Sequence, residues 1–331
     1  MQLPLLVLVG PTAVGKTRLS LRLAELLDAE IVSADSMQVY RGMDIGTAKP
    51  TPAERARVPH HLIDVVDPTE EFSVARYESL ARAAIAGIHA RGKLPLLTGG
   101  TGLYVKAVVD GLPMPPAPPD PAIRARLEAE ADRLGTEALH RRLAQVDPVS
   151  AARLHPRDRR RIIRALEIWE QTGRPRSATQ VPEADRPHYE AHWFGLTRPR
   201  ASLYRRIDRR VDQQIASGLV DEVRRLLEQG WTPRATSGQG LGYKEIADYL
   251  EGKVTLEEAV ARLKRATRQY AKRQLCWWRG DHRIRWLDMD RWDEEEACRL
   301  IVEAFRSEVF PGAEEPLARP AVFLSTPDVG T

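Results

Sequence analysis

Apolar residues in the first third of the chain fall into short runs separated by helical stripes. Residues 5–9 (Leu-Leu-Val-Leu-Val), 31–34 (Ile-Val-Ser-Ala) and 94–98 (Leu-Pro-Leu-Leu-Thr) read as strands. Runs with so little alternation suit strands buried on both faces. Between the first two, Leu19, Leu23, Leu26 and Leu27 recur at helical spacing, and Leu80, Ala84 and Ile88 do the same before the third. Strands alternating with amphipathic helices predict an α/β core, a parallel sheet covered on both sides.

That pattern breaks at Gly111-Leu-Pro-Met-Pro-Pro-Ala-Pro-Pro-Asp-Pro121. Proline fixes φ and carries no N–H, so neither a helix nor a central strand can continue there. Helical patterns follow over 123–134, 136–145 and 159–171, then Gly173-Arg-Pro and a polar stretch to Pro187. A strand is expected at 193–197. After it, Leu203, Ile207, Val211 and Ile215 form an apolar stripe ending at Gly218, a C′ glycine. A long helix is predicted over 256–278. The expected organisation is a core of 1–113 and 193–310 with C-terminal helices, an all-helical insertion at 114–192, and a Pro-rich tail, 311–331, expected to be disordered.

Composition narrows this little: 43% hydrophobic and 29% charged residues are ordinary for a globular protein. No run approaches the ~20 apolar residues of a membrane helix. The apolar N-terminus lacks a basic leader and a cleavage site, so it reads as a first strand and not as a signal peptide. Two cysteines, Cys276 and Cys298, cannot form a disulfide framework or a zinc cluster. A cytoplasmic location is therefore expected. From Leu287 onward there are 4 basic and 11 acidic residues, leaving residues 1–286 with a net charge of +11. A basic body suits a polyanionic partner, although arginines on solvated helix faces would give the same count.

The chemistry begins at Gly10-Pro11-Thr12-Ala13-Val14-Gly15-Lys16-Thr17, which matches the G-x-x-x-x-G-K-[ST] phosphate loop between a strand and a helix. Its glycines let successive N–H groups turn around a phosphate, and the helix N-terminus adds positive potential. Lys16 would reach the terminal phosphate and Thr17 would help hold Mg²⁺, mostly through substrate phosphates and water. The fold class expected is thus a P-loop NTPase-like parallel sheet. A P-loop names a ligand and not a reaction. The third apolar run ends in Gly99-Gly-Thr-Gly102 with no acid for Mg²⁺; the nearest strand-terminal acid is Asp35. At a strand's carboxyl end it would face the same crevice, where it can bind Mg²⁺, bind a hydroxyl, accept a proton, or cap the next turn.

Asp35-Ser-Met-Gln-Val-Tyr-Arg-Gly-Met-Asp-Ile-Gly-Thr-Ala-Lys-Pro50 and the P-loop together resemble the bacterial tRNA dimethylallyltransferases, the tRNA isopentenyltransferase family. So do His60-His-Leu-Ile-Asp-Val-Val-Asp-Pro68, Gly99-Gly-Thr-Gly-Leu-Tyr104, Gly242-Tyr243 and Thr267-Arg-Gln-Tyr-Ala-Lys-Arg-Gln-Leu-Cys-Trp-Trp-Arg279. The resemblance runs in order from about Leu5 to Leu287. It implies an enzyme that moves a dimethylallyl group from dimethylallyl diphosphate to the N6 amine of adenosine 37 in tRNAs reading codons that begin with U. By the same resemblance Asp35 is the general base, and Thr101 and an arginine of the 206–211 helix touch the diphosphate. Arg210 is favoured; Arg206, four residues away on the same face, stays open.

For tRNA, the resemblance implies contacts from Asp35-Ser36-Met37-Gln38, from Thr101 and Arg124, and from Arg160-Arg161-Ile162-Ile163-Arg164. It adds Gln239-Gly240-Leu241-Gly242-Tyr243-Lys244, and Lys272, Arg273, Gln274, Trp277, Trp278 and Arg279. Gln38 could read a Watson–Crick edge. Ile162 and Ile163 would anchor the inner face of their helix, and one tryptophan of the 277/278 pair should be structural. Mg²⁺ is the expected cofactor. The expected partners are the tRNA anticodon stem-loop and dimethylallyl diphosphate, with no membrane and no obligate protein partner, the chain acting as a monomer. The alternatives are a P-loop small-molecule kinase that binds ATP, an adenylate prenyltransferase, and a nucleotide-switched RNA-binding protein.

Overall fold

In the computed structural model, residues 3–112, 118–179, 189–309 and 323–324 are described. The chain divides into two compact units: Met1–Asp110 with His188–Thr331, and Gly111–Pro187.

The first unit is built on a six-stranded sheet of β1 (Leu3–Val9), β2 (Ala29–Ser33), β3 (His60–His61), β4 (Leu94–Gly99), β5 (Tyr189–Thr197) and β6 (Arg285–Asp288). Its order is β3-β2-β4-β1-β5-β6, and every pairing between these strands is parallel. The central strands are buried almost throughout, which is why they read as nearly continuous apolar runs. Among the helices covering the sheet are Lys16–Leu26, Val74–Ala90, Arg200–Ala216 and Leu256–Trp278.

Register decides where the site forms. Val9 lies beside Gly99, and Ser33 beside Thr98. The loops leaving β2, β4 and β1 therefore emerge side by side at one carboxyl edge, the ligand edge of parallel α/β sheets. The edges of the sheet differ from the sequence expectation. β3 and β6 are too short and too polar to show as runs, and β5 starts at Tyr189, pairing with Leu3. Residues 189–192, assigned to the insertion by pattern, thus belong to the sheet.

The second unit is helical among its described residues. Pro121–Leu134, Thr136–Val146 and Arg159–Thr172 pack around Leu127, Leu139, Leu143, Ile162, Ile163 and Leu166. Asp120 caps the first of these by accepting the N–H groups of Ala122 and Ile123.

The expected tail, 311–331, lies outside the described residues except Phe323 and Leu324; Leu324 exchanges two backbone hydrogen bonds with Trp286. Among the described residues no helix is long and apolar enough to cross a membrane.

Candidate active site

The phosphate loop follows β1. Gly10, at φ 149, lies so close to β5 that a Cβ would stand 2.6 Å from the Leu196 carbonyl oxygen. Ala13 holds φ 63, a left-handed conformation costly for a residue with a Cβ. Two arginines grip the loop's carbonyls: Arg206 Nε donates to Ala13 O at 2.9 Å and Arg198 Nε to Val14 O at 3.1 Å. A trans peptide places its N–H opposite its C=O. The N–H groups of Val14 and Gly15 therefore face the other side of the loop. Lys16 Nζ donates to Gly10 O and Pro11 O, both at 2.8 Å. Burial pushes its pKa down to about 7, with the Arg210 charge adding to the effect and Asp35 opposing it.

A cavity of about 420 Å³ opens beside this loop, lined by Lys16, Thr17, Asp35, Gly100, Arg210 and Tyr270 among others. Asp35 both caps its turn and faces the cavity. Its Oδ1 accepts the N–H groups of Met37 (2.9 Å) and Gln38 (3.4 Å), leaving Oδ2 without a hydrogen-bond partner among the described residues. Arg210 is half-buried, with no hydrogen bond or ion pair to any described residue. Burial lowers its pKa below the usual arginine value, and the Asp35 carboxylate works against that. Arg206 also lines the cavity, but its Nε is committed to the loop. An unpaired guanidinium out of bulk water is costly unless an anion occupies the space beside it. Geometry thus gives different surroundings to two arginines that helical spacing leaves equivalent.

Thr101 stands behind this wall. Its Oγ1 accepts the Ser36 N–H at 3.0 Å, tying the turn after β4 to the one after β2. Gly99 permits that approach: a Cβ there would lie 2.1 Å from Ala34 O. Gln38 lines the cavity, yet its amide is engaged within the protein. Its Oε1 accepts from Ser33 Oγ at 3.0 Å, and its Nε2 faces the Thr47 and Ala48 carbonyls at 3.4 Å. Any reading of a base by Gln38 would have to break or share these bonds.

Several residues matter here that pattern does not single out. Gln214 Nε2 donates to Ile45 O and Gly46 O, and the buried Glu222 carboxylate accepts the N–H groups of residues 44, 45 and 46. Together they hold the turn whose Thr47 and Ala48 line the cavity. Tyr270 lies beside the side chains of Thr101 and Gln274, and burial followed by the Asp35 charge drives its pKa well up.

The residues expected to meet tRNA divide sharply. Arg160, Arg161, Gln239, Lys244, Lys272, Arg273, Trp277 and Arg279 are exposed. Tyr243 and Trp278 are fully buried, Trp278 packing edge-on against Trp193. Ile162 and Ile163 sit in the core of the second unit, so their side chains are anchors and not contact surface. Arg124 and Arg164 both bind Glu167, at 3.0 and 2.7 Å, a carboxylate with no exposed surface. Gln274 is 6% exposed and turned toward the phosphate loop. Tyr243, Trp278, Ile162, Ile163 and Gln274 thus pack or hydrogen-bond within the protein, and Arg124 and Arg164 share one buried carboxylate.

As for Mg²⁺, no group of three or more His, Cys, Asp or Glu that could hold a metal occurs among the described residues. The cavity offers the Thr17 hydroxyl and the Asp35 carboxylate. This sparse set fits Mg²⁺ brought in on phosphate oxygens and keeping several waters.

Residues 38–281 match a family model described as IPP transferase, and residues 3–64 one described as isopentenyl transferase. The tRNA dimethylallyltransferase of Symbiobacterium thermophilum is 55% identical over 308 residues, 92% of this chain and 96% of its own. That of Roseiflexus castenholzii is 57% identical over 300 residues, 91% of this chain and 97% of its own. The full-length tRNA isopentenylpyrophosphate transferase of Bacillus halodurans aligns at TM-score 0.67 and 47% identity, covering 92% of this chain and 98% of that one. A eukaryotic dimethylallyltransferase acting on tRNA aligns at TM-score 0.80 and 31% identity, covering 95% of this chain and 82% of that one. With relatives more than half identical across most of its length, the chain belongs to the tRNA dimethylallyltransferase family of enzymes.

Proposed function

We propose that this enzyme transfers the dimethylallyl group of dimethylallyl diphosphate to the N6 amine of adenosine 37 in tRNAs reading codons that begin with U. The products are N6-(dimethylallyl)adenosine and diphosphate. One observation carries the reading: the phosphate loop, the Asp35 carboxylate and Arg210, which has no hydrogen bond or ion pair to any described residue, line one cavity.

The chemistry explains why these groups belong together. The N6 lone pair is delocalised into the ring, so the amine is a poor nucleophile and needs an activated carbon. As the allylic C–O bond breaks, positive charge spreads over the allyl group and negative charge grows on the diphosphate. Donors aimed at that leaving group favour the transition state over the ground state. Lys16, Arg210 and the loop amides are such donors. Thr17, together with the substrate's own phosphate oxygens, would hold Mg²⁺, which would supply further positive charge at the leaving group. As the C–N bond forms, the amine becomes strongly acidic, and Asp35 Oδ2 takes its proton while Oδ1 stays with the turn.

Adenosine 37 must leave its stack to enter such a cavity. The exposed arginines of the helical insertion and the Trp277 region suit phosphate contact and stacking. We include in the proposal a monomeric, cytoplasmic enzyme dependent on Mg²⁺. A small-molecule kinase would need neither those surfaces nor an acid placed to accept an amine proton. The test is incubation with labelled dimethylallyl diphosphate, Mg²⁺ and unmodified tRNA, beside ATP with small acceptors. Label should appear in tRNA at position 37. Transfer from ATP alone, or prenylation of free AMP in preference to tRNA, would overturn the proposal.

A further inference from the structure

We propose that Gln274 is a positioning residue of the diphosphate site, a strut that sets the spacing between the phosphate loop and the turn after β4, and not a contact to tRNA. The inference rests on reading the cavity as a prenyl diphosphate site.

Gln274 sits in a basic, tryptophan-bearing stretch whose residues Lys272, Arg273, Cys276, Trp277 and Arg279 are all exposed. Gln274 itself is buried, with Trp277 as its i+3 neighbour on the helix. Its Oε1 accepts the Thr12 N–H at 2.8 Å and its Nε2 donates to Gly100 O at 3.0 Å. One amide thus joins two loops that emerge from neighbouring strands, with its donor and acceptor ends both used. Gly100 has to be glycine for this: a Cβ there would stand 2.1 Å from Gln274 Nε2. One turn earlier, Tyr270 lies beside Gln274 and Thr101. The strut therefore connects, through Thr101 and Ser36, to the turn that carries Asp35.

Two consequences follow. The Thr12 N–H is already spent, so a diphosphate meets only the loop amides beyond it. And the separation between the donor end of the cavity and the Asp35 end is set by a helix whose outer face presents Trp277 and Arg273 to solvent.

The experiment uses the full chain, with magnesium diphosphate titrated by calorimetry and unmodified tRNA by filter binding at fixed salt. In Gln274→Ala the diphosphate dissociation constant should rise about tenfold, equivalent to about 1.4 kcal/mol. KM for dimethylallyl diphosphate should rise with it, while tRNA affinity stays within about twofold, or about 0.4 kcal/mol. Gln274→Glu supplies a signature that a loss of folding would not. A protonated carboxyl accepts from Thr12 and donates to Gly100 as the amide does; a carboxylate has nothing to donate. Its diphosphate affinity, as a ratio to the native enzyme at the same pH, should recover as pH falls and the buried carboxyl takes up its proton. If Gln274→Ala weakens tRNA and spares diphosphate, the residue is a tRNA contact and the proposal fails. If it tightens diphosphate, Gln274 is a latch on Thr12, and the proposal fails equally. A native enzyme that does not bind magnesium diphosphate would remove the reading of the site and this inference together, whereas loss of tRNA prenylation alone would leave the strut standing.

Discussion

Replacing Glu222 should loosen one wall of the cavity, by an amount that can be worked out from its partners. The residue is 1% exposed. Oε2 accepts the N–H groups of Asp44 (3.0 Å) and Ile45 (2.8 Å), while Oε1 accepts that of Gly46 (3.2 Å) and the Tyr243 hydroxyl (2.7 Å). Hydrogen bonds to a charged group each contribute about 1.5–3 kcal/mol, so four would sum to about 6–12 kcal/mol if independent. They are not independent, because all four compensate the burial of one carboxylate, which costs several kcal/mol by itself. Gln214 also keeps its grip on the same turn. In Glu222→Gln one oxygen becomes an NH₂ facing donors, so about two of the four bonds are lost, and a destabilisation of about 2–4 kcal/mol is expected. Urea unfolding followed by tryptophan fluorescence suits the measurement, since Trp231 packs edge-on against Tyr243 at 6.1 Å and reports on this region. The turn continues into Thr47 and Ala48 in the cavity wall, so KM should rise as well. An unfolding free energy within about 0.5 kcal/mol of native for Glu222→Gln would show that the amides find other partners, and the reasoning would fail.

Asp35→Asn keeps the cap on Met37 and Gln38 but removes the base; transfer should fall by about 10²–10⁴ with tRNA binding and melting temperature nearly unchanged, and near-native single-turnover rates would exclude Asp35 as the base. Lys16, at about 7 without ligand, should be held protonated by a bound diphosphate. Affinity should thus be greatest below about pH 7 and decline as pH rises above it, with proton uptake visible by calorimetry in buffers of different ionisation enthalpy; no uptake at about pH 8 contradicts this. Trp278→Ala empties a fully buried site and should cost about 3–5 kcal/mol of stability. Trp277→Ala, at 44% exposure, should leave stability alone and weaken tRNA binding by about 1–3 kcal/mol; unchanged binding removes it from the interface. Arg160→Ala with Arg161→Ala should lower the salt dependence of tRNA binding by about one to two charge units, and an unchanged slope would place the contact elsewhere.

The core was legible because its strands are buried on both faces, so that β1, β2 and β4 needed no alternation to be recognised. β3, two histidines at the sheet edge, and β6, Arg-Trp-Leu-Asp, lack that mark. β5 concealed its start because Glu190 is exposed and His192, though buried, is held by Glu308. The loops of the site were legible for a different reason. Gly10, Gly99 and Gly100 stand where another part of the chain passes within bond-like distance of a would-be Cβ, so their spacing records tertiary contact in the sequence itself. Glu222 and Gln214 leave no such record, since each reaches the site from a helix far along the chain and any solvated helix could carry the same residue; Gln274 is marked by its motif, but not for the partners it has. Charge was the least legible property. Arg124, Arg164, Arg206 and Arg210 are alike in sequence, but Glu167 takes the first two and Ala13 O the third. Spacing shows which residues can share a helix face, whereas only packing shows which of them already has a partner. The guanidinium left without one among the described residues, in the wall of a cavity beside a phosphate loop, is the group whose cost of burial an anionic substrate has to offset.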